Sequence, residues 1–169
     1  MRSLTIATAL ATALALPALA DNHVGERVTG EIVSGDGASI GSVSVFETES
    51  GLVRLIIQAT GMTPGAHGVH LHETGTCEGD FSSAGGHIPG DAMHGLVEGG
   101  NHPGDLPNGF VQGDGVLSME AFKHNLSVDD HLLDGDGAAL IIHSGPDDYE
   151  TQPDGAAGDR VACAVLTGT

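Results

Sequence analysis

The stretch from Glu73 to Pro107 constrains this chain most. It is long, rich in glycine and proline, and almost without hydrophobic periodicity, so neither a helix nor a strand is expected there. Loops of this length are uncommon in compact domains, and ordered ones tend to carry function. Between Ala66 and Asp105 lie six histidines and one cysteine, opening with His70-Leu71-His72 and closing with His102-Pro103-Gly104-Asp105. Such a segment buries little apolar surface of its own and must be held by the rest of the chain.

The rest reads as short strands. Val28 to Val33, Ile40 to Phe46, Leu52 to Ala59 and Gly68 to His72 precede the long segment, and Gly115 to Phe122, Ala138 to His143 and Arg160 to Leu166 follow it. Turn residues such as Ser34-Gly35-Asp36-Gly37 and Thr63-Pro64-Gly65 separate the runs. No long amphipathic helix is evident; Val128 to Leu133 suits a short helical turn. Seven or eight short strands with glycine-rich turns point to an all-β sandwich or barrel.

In a strand, residues two apart share a face. His70 and His72 therefore point together, while Val69 and Leu71 turn to the core. With His87, His94, His102 and Asp105 on the following loop, this is a poor fit to unconnected surface histidines. Copper takes imidazole nitrogens in a tetragonal arrangement, and zinc accepts histidine and aspartate in a tetrahedron. His143 closes the apolar run Leu140-Ile141-Ile142 and can add a ligand from a remote strand. The residue types and spacing predict a transition-metal site.

The first twenty residues stand apart. Arg2, an apolar run from Leu4 to Leu16 and the ending Ala18-Leu19-Ala20 have the form of a secretory leader cut after Ala20, leaving residues 21–169 as one domain. The apolar run is short for a membrane span of about 20 residues. The new amino terminus would be Asp21-Asn22-His23, a tripeptide able to chelate Cu(II) or Ni(II), although a plain tail is the simpler reading. In an exported chain Cys77 and Cys163 read best as one disulfide, with free thiols or a thiolate metal site as alternatives. Five Lys and Arg against 23 Asp and Glu give a formal charge of −18, one unit more negative once Arg2 is removed. That balance excludes nucleic acid and anionic membranes, which demand clustered positive charge.

From Val28 to Leu166 the chain resembles the copper–zinc superoxide dismutase family, in its bacterial exported branch. The residues that carry the likeness are Gly68-Val69-His70-Leu71-His72-Glu73, Ser83-Ala84-Gly85-Gly86-His87, His102-Pro103-Gly104-Asp105-Leu106 and Gly158-Asp159-Arg160-Val161-Ala162-Cys163, with Asp147-Asp148-Tyr149 and Gln152-Pro153 resembling the bacterial branch. The resemblance implies an eight-stranded Greek-key β-barrel or sandwich, immunoglobulin-like, with long metal-binding loops. It implies copper ligands His70, His72, His87 and His143, and zinc ligands His87, His94, His102 and Asp105, with His87 shared. Asp147 would link His70 to His94, Cys77 and Cys163 would form the family's disulfide, and Arg160 would stand beside the open copper position. His67, His124 and His131 match no ligand position and read as surface or supporting residues.

The implied activity is periplasmic removal of superoxide by ping-pong copper redox. One superoxide leaves as oxygen and a second leaves as hydrogen peroxide, with His87 delivering a proton and Arg160 holding the anion. The substrate is superoxide, the chain being monomer or homodimer. A metal-storage or delivery protein on the same fold would be expected to lack a copper ligand or the arginine, and neither is missing. A purely structural secreted sandwich explains none of the histidine spacing.

Three departures from the family stand out. Glu150 occupies a position where bacterial relatives commonly carry lysine, the step from His87 to His94 is one residue shorter than in many relatives, and there is no tryptophan for the aromatic dimer contact of some bacterial members. With the charge so negative and Glu150 in place, positive field is expected only around the metals and Arg160. The rate of superoxide removal should therefore change little as salt rises from about 10 mM to about 150 mM, while the Debye length falls from about 30 Å to about 8 Å. A steep loss of rate would reveal steering by a wider positive surface.

Overall fold

Core residues share one face of each of the first three strands (Val28 and Ile32; Val43 and Val45; Val53, Leu55, Ile57 and Ala59), and each turn between them is short. Strand β1 spans His23–Ser34, β2 Ser39–Thr48 and β3 Val53–Ala59, and they pair antiparallel in sequence order. The computed structural model describes residues 23–89 and 92–169. The expected leader and Asp21-Asn22 lie outside them. Strands β4 (Gly65–His67), β5 (Val69–His72), β6 (Gly109–Val111), β7 (Leu117–Lys123), β8 (Ala138–His143) and β9 (Arg160–Gly168) follow. The described helical structure is slight: a 3-10 turn, Ser82–Ala84, and α1, Val128–His131, where a short helical turn is expected. None of it is long and apolar enough to cross a membrane.

Seven strands form one sheet in the order β5-β8-β9-β1-β2-β3-β7, and β4 pairs with β6. Strand β6 turns at Gln112–Val116 into β7, while β4 runs through Gly68 into β5. The small pair thus joins the two edges of the large sheet, which curls into a half-barrel. Counted as one strand interrupted at Gly68, β4 and β5 bring the total to the eight that the resemblance implies. A Cβ on Gly68 would stand 2.7 Å from that of Ala157, so this break admits no larger residue. Strand β6 is absent from the sequence reading because Gly109-Phe110-Val111 is too short to display a period.

The concave side holds the main core, including Val28, Ile32, Val45, Leu55, Ile57, Leu71, Leu117, Leu140 and Ile142. Strands β5 and β8 are buried along their whole length, on both faces. A second small cluster (Phe81, Ala84, Ala139, Ile141 and Cys163) explains why. The segment after β5 folds back across the outer face of β5, β8 and β9 and covers it. Cys77 and Cys163 form a disulfide across a sequence separation of 86 residues, with Cα atoms 5.9 Å apart, and so fasten that segment to β9. A closed loop of this size stabilises by about 4–5 kcal/mol in the chain-entropy model.

Strand order decides the site. Strands β5, β8 and β9 are neighbours, so His70 and His72 lie beside His143, which pairs with Arg160 across a bulge after Ile142.

Candidate metal centre

His70, His72, His87 and His143 are all buried and offer ligand atoms within 4.8 Å of one another. Each ring has one nitrogen facing an acceptor. His70 Nε2 lies 2.9 Å from Asp147 Oδ2, His72 Nδ1 2.9 Å from the Gly85 carbonyl, His143 Nδ1 3.1 Å from the Gly158 carbonyl and His87 Nδ1 3.1 Å from Asp105 Oδ1. Carbonyl and carboxylate oxygens only accept, so in His70, His72 and His143 that nitrogen donates and the other keeps its lone pair. Those other nitrogens, His70 Nδ1, His72 Nε2 and His143 Nε2, together with His87 Nε2, are buried without a hydrogen-bond partner. Orphaned buried nitrogens are costly, and four of them from one cluster make the chemistry of a cation site.

His87, His94, His102 and Asp105 form a second buried group. The Nδ1 atoms of His87, His94 and His102 approach the same oxygen, Asp105 Oδ1, at 3.1, 3.0 and 3.3 Å. His94 Nε2 is 3.1 Å from Asp147 Oδ1 and must donate to it. A neutral His94 would then aim a lone pair at the Asp105 carboxylate, so this arrangement needs a proton or a metal cation between them. Asp105 Oδ2 accepts from the backbone N–H of Gly95 and His102. Imidazole alone in one group and imidazole with carboxylate in the other fit copper and zinc respectively.

Asp147 joins the groups, one oxygen accepting from His70 and the other from His94. Outer carboxylates of this kind set the tautomer and orientation of a ligating ring. The backbone N–H of Tyr149 donates to Asp147 Oδ1, and the Asn108 side chain bonds the Asp147 backbone in both directions. Gly155, at φ 69, is required here, because a Cβ on it would fall 1.9 Å from Asp147 Oδ1. The shorter step from His87 to His94 does not displace His94, whose backbone is clasped by Gln152 at both N–H and carbonyl. Arg160 donates to the carbonyls of Phe81 and Gly85 at 2.6 and 2.7 Å, and so spans from β9 to the covering segment.

The structure brings together every residue expected at the site. Of the groups that support it, sequence reasoning singled out Asp147, and it left His67 open as a surface or supporting residue. His67 is buried, with Nδ1 2.6 Å from the His143 carbonyl and Nε2 2.8 Å from that of Thr63. Asn108 had no ligand-type side chain to draw attention, and Gln152 stood out only as part of the likeness to the bacterial branch, not as a clasp on His94. His124 is exposed, His131 is half-buried, and Glu150 lies exposed beyond Asp147.

Residues 39–166 match the family model for copper/zinc superoxide dismutase. A Cu-Zn superoxide dismutase of Caulobacter vibrioides is 41% identical over 82% of this chain and 84% of that protein. One of Aquifex aeolicus is 37% identical over 80% and 84%. Among solved structures, a double mutant of a SOD-like protein from Bacillus subtilis superposes with a TM-score of 0.79, at 35% identity over 83% of this chain and 97% of that one. The fold and the paired metal-type groups define a copper–zinc protein of bacterial type. The chain belongs to the copper/zinc superoxide dismutase family.

Burial shifts the titration of the site. It pushes His70 down to about 4 and His72 to about 2, against the hydrogen bonds to Asp147 and to the Gly85 carbonyl respectively, and it lowers His143 as well. Burial alone would raise Asp105 and Asp147, but hydrogen bonds, led by those from His87 and His70, hold both below the usual carboxylate range. Burial alone would lower His94, yet the Asp147 and Asp105 carboxylates raise it. Unfolded histidines take up protons near pH 6.5, where folded His70 and His72 still refuse them. Between that pH and about 4 the unfolded chain binds more protons, so stability falls as pH falls, with His94 opposing. The metal-free, disulfide-bonded chain is therefore expected to unfold at lower denaturant at pH 5 than at pH 7.5. The loss should be at most about 2 kcal/mol for each of His70 and His72. An unchanged or higher midpoint at pH 5 would contradict the inferred neutral rings.

Proposed function

We propose that this chain dismutates superoxide, with copper held by His70, His72, His87 and His143, and zinc by His87, His94, His102 and Asp105. The observation that carries this reading is the set of four buried ring nitrogens without partners, three of their rings locked in one tautomer from behind. Bound copper supplies a one-electron couple between Cu(II) and Cu(I), and zinc adds charge without redox chemistry. Two superoxide ions and two protons become one oxygen and one hydrogen peroxide.

The chain's own residues do the rest. His87 has its Nδ1 committed on the Asp105 side, which leaves Nε2 as the position that can hold a proton and pass it to a bound anion. Arg160 has two donors fixed by carbonyls, which orients the guanidinium, and its remaining donors suit a small anion. Asp147 keeps His70 and His94 in register, so an error in one group is felt by the other.

The chain is also proposed to be exported and to act in the periplasm after removal of residues 1–20. The Cys77–Cys163 disulfide supports this, since such bonds persist in oxidising compartments. Its intact mass from the periplasmic fraction should correspond to a chain beginning at Asp21 with two hydrogens lost to the disulfide; a mass that includes the leader would refute the cut. His143→Ala is expected to reduce superoxide decay to the buffer rate and remove copper while leaving zinc near the wild-type content. Full activity in His143→Ala would sink the copper assignment.

A further inference from the structure

Strand β7 carries a residue that its pattern does not ask for. Its inward positions are Leu117, Met119, Ala121 and Lys123, so a lysine stands where an apolar side chain is expected. Lys123 is 6% exposed and, among the described residues, it is the buried Lys or Arg side chain. A buried ammonium persists only when its donors are satisfied. All three are: Nζ donates to Asn101 Oδ1 at 2.6 Å, to the His102 carbonyl at 3.0 Å and to the Asp105 carbonyl at 2.9 Å. Two residues on, Asn125 donates from Nδ2 to the Asn101 carbonyl at 2.9 Å.

These contacts converge on one turn. Asn101 sits at φ 83, a left-handed conformation uncommon outside glycine, and the Asp105 N–H bonds back to the His102 carbonyl at 3.1 Å. The turn offers two donors to the histidine–aspartate group, His102 Nδ1 and Asp105 Oδ1, 3.3 Å apart. Strand β7 is the edge of the large sheet, locked to β3 with Lys123 opposite Val53. The lysine therefore transfers the rigidity of the sheet to a loop that has little structure of its own.

We infer that Lys123 is a positioning residue for the zinc-type site, holding the carbonyls of His102 and Asp105 so that both side chains are preset for the metal. The inference rests on the assignment of His87, His94, His102 and Asp105 to zinc. Two effects of opposite sign compete at this position. The ammonium repels a nearby cation, whereas its hydrogen bonds preorganise two of the four donors. The three acceptors that surround Nζ spread its charge, so positioning dominates.

The test is Zn²⁺ affinity, measured by competition with a chromophoric chelator on the folded, disulfide-bonded chain. Both proteins carry His143→Ala to disable the four-histidine group. Adding Lys123→Met keeps the length of the stem and removes the donors, and it should weaken Zn²⁺ binding by about 10–100-fold, the usual effect of losing an outer partner. Unchanged or tighter binding would overturn the inference, the latter showing that repulsion dominates. A merely structural lysine would lower the urea midpoint of the metal-free chain and leave Zn²⁺ affinity alone, which also counts against it. If Lys123→Met does not fold, Asn101→Gly removes one acceptor while tolerating the left-handed backbone, and about 2–10-fold weaker binding is expected; equal affinity there overturns the inference. Failure of the parent His143→Ala chain to bind Zn²⁺ at all would instead strike the zinc assignment itself.

Discussion

Eight polar side chains, His70, His72, His87, His94, His102, His143, Asp105 and Asp147, share one buried region, and the rest of the structure answers to that fact. Burying so many imidazoles and carboxylates is costly unless each has a partner or a cation. The chain meets this requirement from the outside inward. Backbone carbonyls of Gly85 and Gly158 and the Asp147 carboxylate hold the outer nitrogens of His72, His143 and His70, leaving the inner lone pairs for metal. The same arrangement keeps protons off His70, His72 and His143 and concentrates carboxylate oxygens around His94 and His102. The two halves are thus chemically distinct before any metal arrives, although they share His87 and are braced by one aspartate.

The scaffold and the loop solve different parts of the problem. Strands β5, β8 and β9 are adjacent and regular, which gives His70, His72, His143 and Arg160 positions fixed by ladder hydrogen bonds. The covering segment has no ladder to rely on. It is held by the disulfide to β9, by Arg160 to the carbonyls of Phe81 and Gly85, by Gln152 on His94 and by Lys123 on the turn at His102. Each attachment joins the covering segment to a strand or to a second loop. Arg160 is economical in this respect, because the bonds that orient it also fasten the segment it serves.

Much of this was legible in the sequence. Short β-like runs bounded by turn residues marked β1, β2, β3, β5, β7, β8 and β9. The histidines stood out because six of them in a glycine-rich segment have no role in a core. Apart from Asp147, their partners did not stand out. Gln152, Asn108 and Lys123 are ordinary polar residues whose importance depends on which atoms lie beside them, and His67 has no ligand spacing to distinguish it. Strand β6 was invisible because three residues cannot show a period.

What the sequence by itself determined is the chemistry: the donor types, their order, the family, and an all-β scaffold too glycine-rich for long helices. Side-chain type and periodicity are local properties, and a single chain displays them directly. Only the tertiary structure decided which residues meet. The order β5-β8-β9 is set by long-range pairing and brings His143 and Arg160 to His70 and His72 from remote parts of the chain. It also decided which nitrogen of each ring faces inward, because that depends on an acceptor contributed by another segment. Spacing along a chain cannot encode that choice; packing in three dimensions makes it.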